Sequence, residues 1–455
     1  IKHIQKAEKN LSIEEMKKSD AHGFYADLHS SEVPALIERG EIGSFLHVMD
    51  PQEANQLQRY AAKSRLGIPL IIGIDAIHGN GMVKGSTIYP APLSMASSWN
   101  PDLVRKSSVE TAIEMRANGS QWTFAPNVDI VRDPRWGRAG ETFGEDPFLV
   151  AEMGVATVEG LQQGDFTGPN AVLANAKHFV AGGDPANGLN ASPMDISERS
   201  LRQDYLPPFK RTVDAGVFSF MAAHNEVNGV PAHGSKYLLH DILRTEWGFD
   251  GFVVSDWMDI ERLATWHKVV PNQKEAVFLT VDSGMDMHMH GPDFLEPVVE
   301  LVNEGRLSME RIDASVRPIL LAKFRLGLFE KALVDESAVA DLVNTAEHRQ
   351  TALQLAREAI VLLTNKDQVL PLKGDEKIFV TGPNANNHSI MGDWVLPQPA
   401  DNITTVVEGL RQVAPRTARV DYLDVGDQVR ELSDEDIRQA GERAMDSDVA
   451  IVVVG

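Results

Sequence analysis

The sequence predicts a (β/α)8-type, TIM-like barrel followed by an α/β sandwich domain that is truncated, and three observations carry that prediction. Short apolar strands alternate with amphipathic helices from residue 43 to residue 290. The carboxyl ends of successive strands collect Asp, Lys, His and Asn, and no glycine-rich phosphate loop follows the first strand, which favours a closed barrel over a nucleotide-binding open sheet. A second strand and helix series starts after residue 350 and stops on an apolar strand.

Residues 1–40 are polar, with a helix-like stretch at 13–18, and read as an amino-terminal wrap. Strand 43–48 then leads into helix 51–66 and strand 68–75. Helix 101–118 precedes strand 123–130, helix 147–163 precedes strand 172–179, and helix 196–215 precedes strand 218–224. Strands 251–255 and 284–289 bring the count to seven, so an eighth is left to the amino-terminal region or the barrel is incomplete. Helical periodicity runs on from residue 307 to a stop at Gly327, giving a barrel domain over 1–329 and a linker over 330–350. The second domain, 351–455, opens with helix 347–359 and continues through the segment 359–365, strand 377–383, helix 405–413 and a strand at 419–423. Ser433 with Asp436 three positions on caps the last helix. The closing run from Val449 belongs at a sheet centre, so further chain is expected beyond Gly455.

Composition narrows the partners. With 455 residues the chain is too long for one ordinary core. A net charge of −22 without basic clusters argues against nucleic acid, and no apolar run approaches the roughly 20 residues of a bilayer span. Cysteine is absent, which removes disulfides, thiolate nucleophiles and Cys-ligated zinc. Numbering from Ile1 suggests a processed amino terminus, in keeping with a periplasmic or secreted protein. A neutral substrate is the natural partner, and oligomeric state is not legible.

The strand ends carry the chemistry. Asp75 with His78, Asn127 with Asp129, Lys177 with His178, His224 with Asn225, and Asp256 with Trp257 fall on five strand ends that face one mouth. Asp256 is the lead catalytic candidate; taken alone it serves equally as a cap for the following helix. The loop after Asp129 holds Arg132, Arg135, Arg138, Glu141, Glu145 and Asp146, which are expected to pair among themselves, with Arg138 best placed to face substrate. Gly182 to Pro185 reads as a flexible edge of the same rim. Paired carboxylates perform glycoside hydrolysis, and Asp256 fits the attacking role, kept ionised by Lys177 or Arg138. Trp257 and Trp136 offer apolar faces to a sugar ring, and Asp75, His178, Lys177 and Arg138 offer hydrogen bonds.

The segments IGIDAIHG, FAPNVDIVRDPRWGRAGETFGEDP, AKHFVAGGD, NEVNGVPAHG and GFVVSDW closely resemble, in order, those of glycoside hydrolase family 3, particularly its β-glucosidase branch. AREAIVLLTNKDQVLPL and VTGPNANN resemble the start of that family's second domain. The resemblance implies a retaining, exo-acting β-glucosidase that releases terminal β-D-glucosyl residues from the non-reducing end of oligosaccharides, without a cofactor, through a covalent glycosyl-enzyme on Asp256. It places Asp75, Arg138, Lys177 and His178 in the terminal-sugar site, with Met221 and Trp257 lining it and Arg262 near an outer subsite. Simple core packing accounts for Met221 as readily. His224 stands where the family commonly has Tyr. The acid/base of this branch is a Glu expected beyond Gly455, so the 455 residues alone are not expected to turn over ordinary glycosides.

Alternatives remain. The segment VAGGDPANG lacks the histidine of the family's N-acetylglucosaminidase branch, whereas a β-xylosidase is a nearer rival that Asp75 disfavours. Asp286, His288 and His290 alternate along one strand face, which would suit a metal-dependent hydrolase; a polar stripe facing the barrel explains them more simply, and no metal ligands are assigned. A non-catalytic sugar-binding module is the third class.

Overall fold

The computed structural model of the chain describes residues 2–3, 32–291, 293–426 and 431–454, so the stretch at 13–18 lies outside the described residues. Two compact units are present, Ile1–Ala359 and Ile360–Gly455. In the first, β1 (Lys2–His3), β2 (Ser44–Leu46), β3 (Ile71–Ile74) and β4 (Trp122–Thr123) pair in parallel and in chain order. The same holds for β5 (Asn175–Phe179), β6 (Ser219–Ala222) and β7 (Phe252–Val254). Parallel bridges Trp122↔Leu173 and Asn127↔Lys177 join the two sets, and Val254↔Met287 adds a segment beyond β7. Parallel neighbours that follow chain order, with helices between them, are the arrangement of a (β/α)8-type barrel. The strand that the sequence left unplaced is β1, which lies beside Phe45 and Leu46.

Strands β2, β3, β5, β6 and β7 are buried at every position, as apolar segments covered on both faces must be. Three covering helices, Pro51–Ala61, Pro101–Ala117 and Pro147–Gln162, begin alike. Asp50, Asn100 or Asp146 accepts first-turn N–H groups, and a proline fills the next position, where its missing N–H costs nothing. Helix Met309–Arg325 ends where Gly327 turns to φ 68°, the left-handed conformation that stops a helix.

The strands expected in the first unit are all trimmed, and two of them are reduced most. Past Thr123 the ladder is interrupted at Pro126, which has no N–H to give, and the chain pairs with β5 as an isolated bridge, Asn127↔Lys177, with Asn175 N–H on Ala125 O at 2.8 Å and Lys177 N–H on Pro126 O at 3.0 Å. The 284–289 segment makes a single bridge because the N–H groups of Asp286 and Met287 both donate to Val253 O, at 2.9 and 3.0 Å, while Met289 N–H turns to the Ser255 hydroxyl.

The stretch 330–350, expected as a linker, contains the helix Val339–Leu342, and helix Ala346–Glu358, expected to open the second domain, has its partners in the first unit. Glu114, 1% exposed, accepts from Asn344 N–H at 2.9 Å, His348 Nδ1 at 2.8 Å and Thr87 N–H at 2.9 Å. Glu110 accepts from the hydroxyls of Thr351 at 2.8 Å and Tyr89 at 2.7 Å. Two carboxylates buried on helix Pro101–Ala117 need such donors, and the later helix supplies several of them.

The second unit is a parallel three-stranded sheet with Lys377–Thr381 at its centre, Arg419–Tyr422 on one side and Val449–Val452 on the other. Ile378, Val380, Ala385 and Val407 form its core. Helices Val406–Val413 and Asp434–Met445 both begin with reciprocal caps, Thr405 with Glu408 and Ser433 with Asp436. The segment 359–365 forms no strand, and its apolar residues Ile360 to Leu363 are exposed. Val449–Val452, expected at a sheet centre, pairs on one side among the described residues.

Candidate active site

The strand ends converge on a set of buried charges. Asp75, directly after β3, bonds Lys177 Nζ on β5 at 2.9 Å and His47 Nε2 after β2 at 2.9 Å. Burial alone would raise its carboxyl, but the charge of Lys177 and the bond from His47 outweigh that and hold it at about 2. His47 is a site residue that the strand-end pattern missed: it lies one position past Leu46, where a shorter strand turns it into the mouth at φ 57°.

On β5, His178 Nδ1 faces Asp129 Oδ2 at 2.8 Å, and its backbone N–H reaches the same oxygen at 3.1 Å. A carboxylate only accepts, so Nδ1 carries the ring hydrogen and Nε2 offers its lone pair, to which Arg138 Nη2 donates at 3.1 Å. The ring is thus neutral. Burial, together with Arg138 and Lys177 alongside, pushes its pKa well below the ordinary value. Burial pushes Asp129 up to about 7, against the backbone N–H groups of His178 and Gly182 and the charge of Arg138.

Arg138 pairs with Glu141 through two bonds of 2.8 Å, as its loop led one to expect. The other charges of the loop behave differently. Arg135 pairs with Asp133, Arg132 approaches Asp204 at 4.0 Å, and Asp146 caps a helix. Trp136 is 3% exposed with its N–H on Asn190 Oδ1 at 2.8 Å, so it offers no free face to a sugar. The turn at 182–185, expected as a flexible edge, is tied in: Gly182 N–H reaches Asp129 Oδ1 at 3.2 Å and Gly183 O accepts from Arg132 N–H at 3.0 Å. A Cβ at Gly183 would sit 2.4 Å from Ile130 O, so only glycine fits there.

Asp256 stands at the middle of this set. It does not cap the next helix, Asp259–Thr265, whose side-chain cap is absent; its Oδ1 instead accepts from Trp257 N–H at 2.6 Å. Its backbone N–H donates to His233 Nε2 at 2.9 Å. Oδ2 is buried without an aligned donor, with His224 Nε2 at 3.0 Å and His178 Nε2 at 3.6 Å. His224 Nδ1 bonds Asp259 Oδ2 at 2.7 Å, and Arg262 Nη1 bonds Asp259 Oδ1 at 2.7 Å. Asp259 is pushed up by burial, but His224, His233 and Arg262 more than offset this and hold it below the usual carboxylate range. His233 and Asp259 were not legible in the strand-end pattern, because neither ends a strand.

Trp257 stacks on His290 with ring centroids 3.9 Å apart. Met221 is 2% exposed in the cluster of Phe252, Val254, Met287 and Met289 against which Trp257 packs, so packing accounts for its position. The geometry therefore brings together Asp75, Arg138, Lys177, His178, Asp256 and Arg262 and puts Met221 in the apolar cluster against which Trp257 packs.

The metal reading of Asp286, His288 and His290 does not hold. Asp286 Oδ2 is taken by Arg244 and by Val253 N–H at 2.8 Å, and Oδ1 by Ser315 at 2.7 Å and Arg311 at 3.3 Å. His288 stacks on Phe294 and His290 on Trp257, so the three do not share a centre. His224, Asp256 and Asp259 do bring donor atoms within 4.8 Å of one another, but the imidazole already engages both carboxylates.

The chain is 34% identical over 92% of its length to a periplasmic β-glucosidase of Salmonella typhimurium and 37% identical over 90% to a β-xylosidase of Formosa agariphila. Among solved structures it superposes with a TM-score of 0.86, at 37% identity and over 93% of its length, on a β-glucosidase involved in saponin metabolism from intestinal bacteria. A β-glucosidase from Listeria innocua solved with glucose gives 0.83 at 34% identity over 92%. The chain spans 58% to 60% of the length of these four proteins. Residues 8–322 match the glycosyl hydrolase family 3 N terminal domain and residues 360–455 the C-terminal domain of that family, and the chain accordingly belongs to glycosyl hydrolase family 3.

Proposed function

We propose that this chain carries the sugar-binding and nucleophilic residues of a retaining, exo-acting β-glucosidase. The observation that carries the reading is Asp256 Oδ2, a buried carboxylate oxygen with no aligned donor, beside the hydrogen-bonded carboxylates of Asp129 and Asp259. In this reading Asp256 attacks the anomeric carbon of a terminal, non-reducing β-D-glucosyl residue and forms a covalent glycosyl-enzyme. Asp75 and Lys177 bond sugar hydroxyls, Arg138 and His178 bond those nearer the anomeric carbon, and Trp257 gives the ring an apolar face. Arg262 borders the outer subsite, and Met221 supports Trp257. Asp75, Asp129, Asp259 and Glu141 are each committed to cationic or N–H partners, so none is assigned the proton that the departing oxygen needs. No cofactor is called for.

Treating the protein with a fluorinated, activated aryl β-glucoside and mapping the labelled peptide tests this directly. A sugar adduct on Asp256 is expected, and an adduct on another residue would sink the assignment. The second reading, a β-xylosidase, is favoured by the relative that is 37% identical and carries that name. Parallel kinetics on activated aryl β-glucoside and β-xyloside, whose leaving groups depart without a general acid, decide between them, with preference for the glucoside expected from the outer-hydroxyl role proposed for Asp75. A periplasmic or secreted location is proposed on the strength of the periplasmic relative; no helix among the described residues is long and apolar enough to cross a membrane.

A further inference from the structure

With Asp256 taken as the nucleophile, His224 stands out because each of its ring nitrogens lies within 3.0 Å of a carboxylate oxygen, closer than His178 Nε2 comes to Asp256 at 3.6 Å. Nδ1 lies 2.7 Å from Asp259 Oδ2 and Nε2 lies 3.0 Å from Asp256 Oδ2. A carboxylate oxygen offers only lone pairs, so a neutral ring would turn a lone pair of its own towards one of the two. A ring protonated at both nitrogens presents an N–H to each, bonded to Asp259 and close to, though not aligned on, Asp256 Oδ2.

The other groups around the ring fit a positive charge. Arg262 Nη1 comes within 3.5 Å of Nδ1 but is bound to Asp259 Oδ1 at 2.7 Å, so its charge is already matched. His178 stacks at 5.9 Å and is the neutral tautomer argued above. His233 accepts the Asp256 N–H, and burial lowers its pKa. Arg138, engaged with Glu141, is the remaining cation. Burial and Arg138 oppose a charge on His224, while Asp256 and Asp259 favour it and prevail, raising its pKa above the ordinary histidine value. Met258, between the two acids, is held at φ 59°, a conformation that a non-glycine residue keeps only when its surroundings impose it.

We propose that His224 is a positioning residue that works as an imidazolium clamped between Asp259 and Asp256: it orients the nucleophile and compensates the negative charge that returns to Asp256 when the glycosyl-enzyme breaks down. In that step an incoming nucleophile bonds the anomeric carbon, the bond from that carbon to the Asp256 oxygen breaks, and its electron pair stays with the carboxylate. His224 keeps both protons throughout. A tyrosine at this position, as the family commonly has, would donate a hydrogen bond there without carrying charge.

Azide isolates this step, because it attacks the glycosyl-enzyme without needing a base. The fluorinated glycosyl-enzyme is formed, excess reagent is removed, and azide-driven return of free enzyme is followed against pH. In the wild type the rate is expected to fall about tenfold per pH unit once His224 loses its proton. His224→Gln is expected to be at least tenfold slower near neutral pH and to lose that dependence. The proposal is overturned if His224→Gln keeps the wild-type alkaline fall. Ring-nitrogen NMR of His224 supplies a second readout that requires no turnover: both nitrogens protonated at neutral pH, with the proton lost at lower pH in Asp259→Asn, supports the clamp, and a neutral ring overturns it. Failure to form any glycosyl-enzyme would count against Asp256 as nucleophile, and the NMR result would still decide the state of His224.

Discussion

Asp256 and Asp286 are two buried acids at opposite ends of the pairing between β7 and the 284–289 segment, and they have opposite fates. Their side chains are 10% and 1% exposed, and each has cationic neighbours. Every lone pair that Asp286 can offer is spoken for by Arg244, Arg311, Ser315 and the Val253 N–H. Asp256 keeps one oxygen back. Burial and nearby positive charge are therefore common to an acid spent on the fold and to the one proposed as nucleophile. What separates them is an oxygen of Asp256 that no aligned donor claims.

The comparison can be broken in three ways. The largest effect is expected from Asp256→Ala, with activity on an aryl glycoside falling on the order of 10⁴-fold or more while the urea unfolding midpoint holds or rises, since the fold spends no hydrogen bond of Oδ2. Comparable activity, or a collapse in stability, would make Asp256 the same kind of residue as Asp286. Asp286→Ala should do the reverse: a loss of about 3 kcal/mol in unfolding free energy, because Arg244 and Arg311 lose their shared counter-charge, with turnover per folded molecule nearly unchanged.

The smallest effect is one of pH. Asp75 is held at about 2 in the folded chain against an ordinary 3.8. A depressed carboxyl contributes stability that is complete above the unfolded value and disappears as pH falls through the folded one. About 2 kcal/mol should therefore be lost between pH 3.8 and pH 2. Asp75→Asn should remove that part of the acid limb, and an unchanged profile would show that the Lys177 pair carries no such linkage.

Much of this was legible beforehand. Asp75, Lys177, His178 and Asp256 were visible because each follows an apolar run, and a strand that ends in a charge puts that charge at the mouth. Arg138 was visible as the loop arginine flanked by glycines, in a loop whose charges were expected to pair, and its pair with Glu141 is one that the fold forms. What stayed hidden depends on which way a residue faces. Asp286, His288 and His290 alternate as a metal stripe would, yet Asp286 turns to two arginines contributed by segments far away in sequence. Asp259 sits inside a helix start and reads as an ordinary first-turn acid; only the left-handed turn at Met258 brings it to His224. Trp136 looked like a sugar platform because composition does not reveal that Asn190 already holds its indole. The hydrophobic period located the helix at 346–358 but could not tell which sheet it would lie against, since that was settled by two glutamates more than two hundred residues earlier.

That last attachment bears on how the barrel can be isolated. Severing the chain near residue 329, where helical periodicity lapses, would strip Glu114 of its bonds from Asn344 and His348 and Glu110 of its bond from Thr351. Two acids would then be left in an apolar groove with half their donors gone, and the excised piece would tend to aggregate. A cut after Ala359 carries the strap along with the barrel. Anyone dissecting this chain into pieces should treat residues 343–358 as the last turn of the barrel's own wrapping.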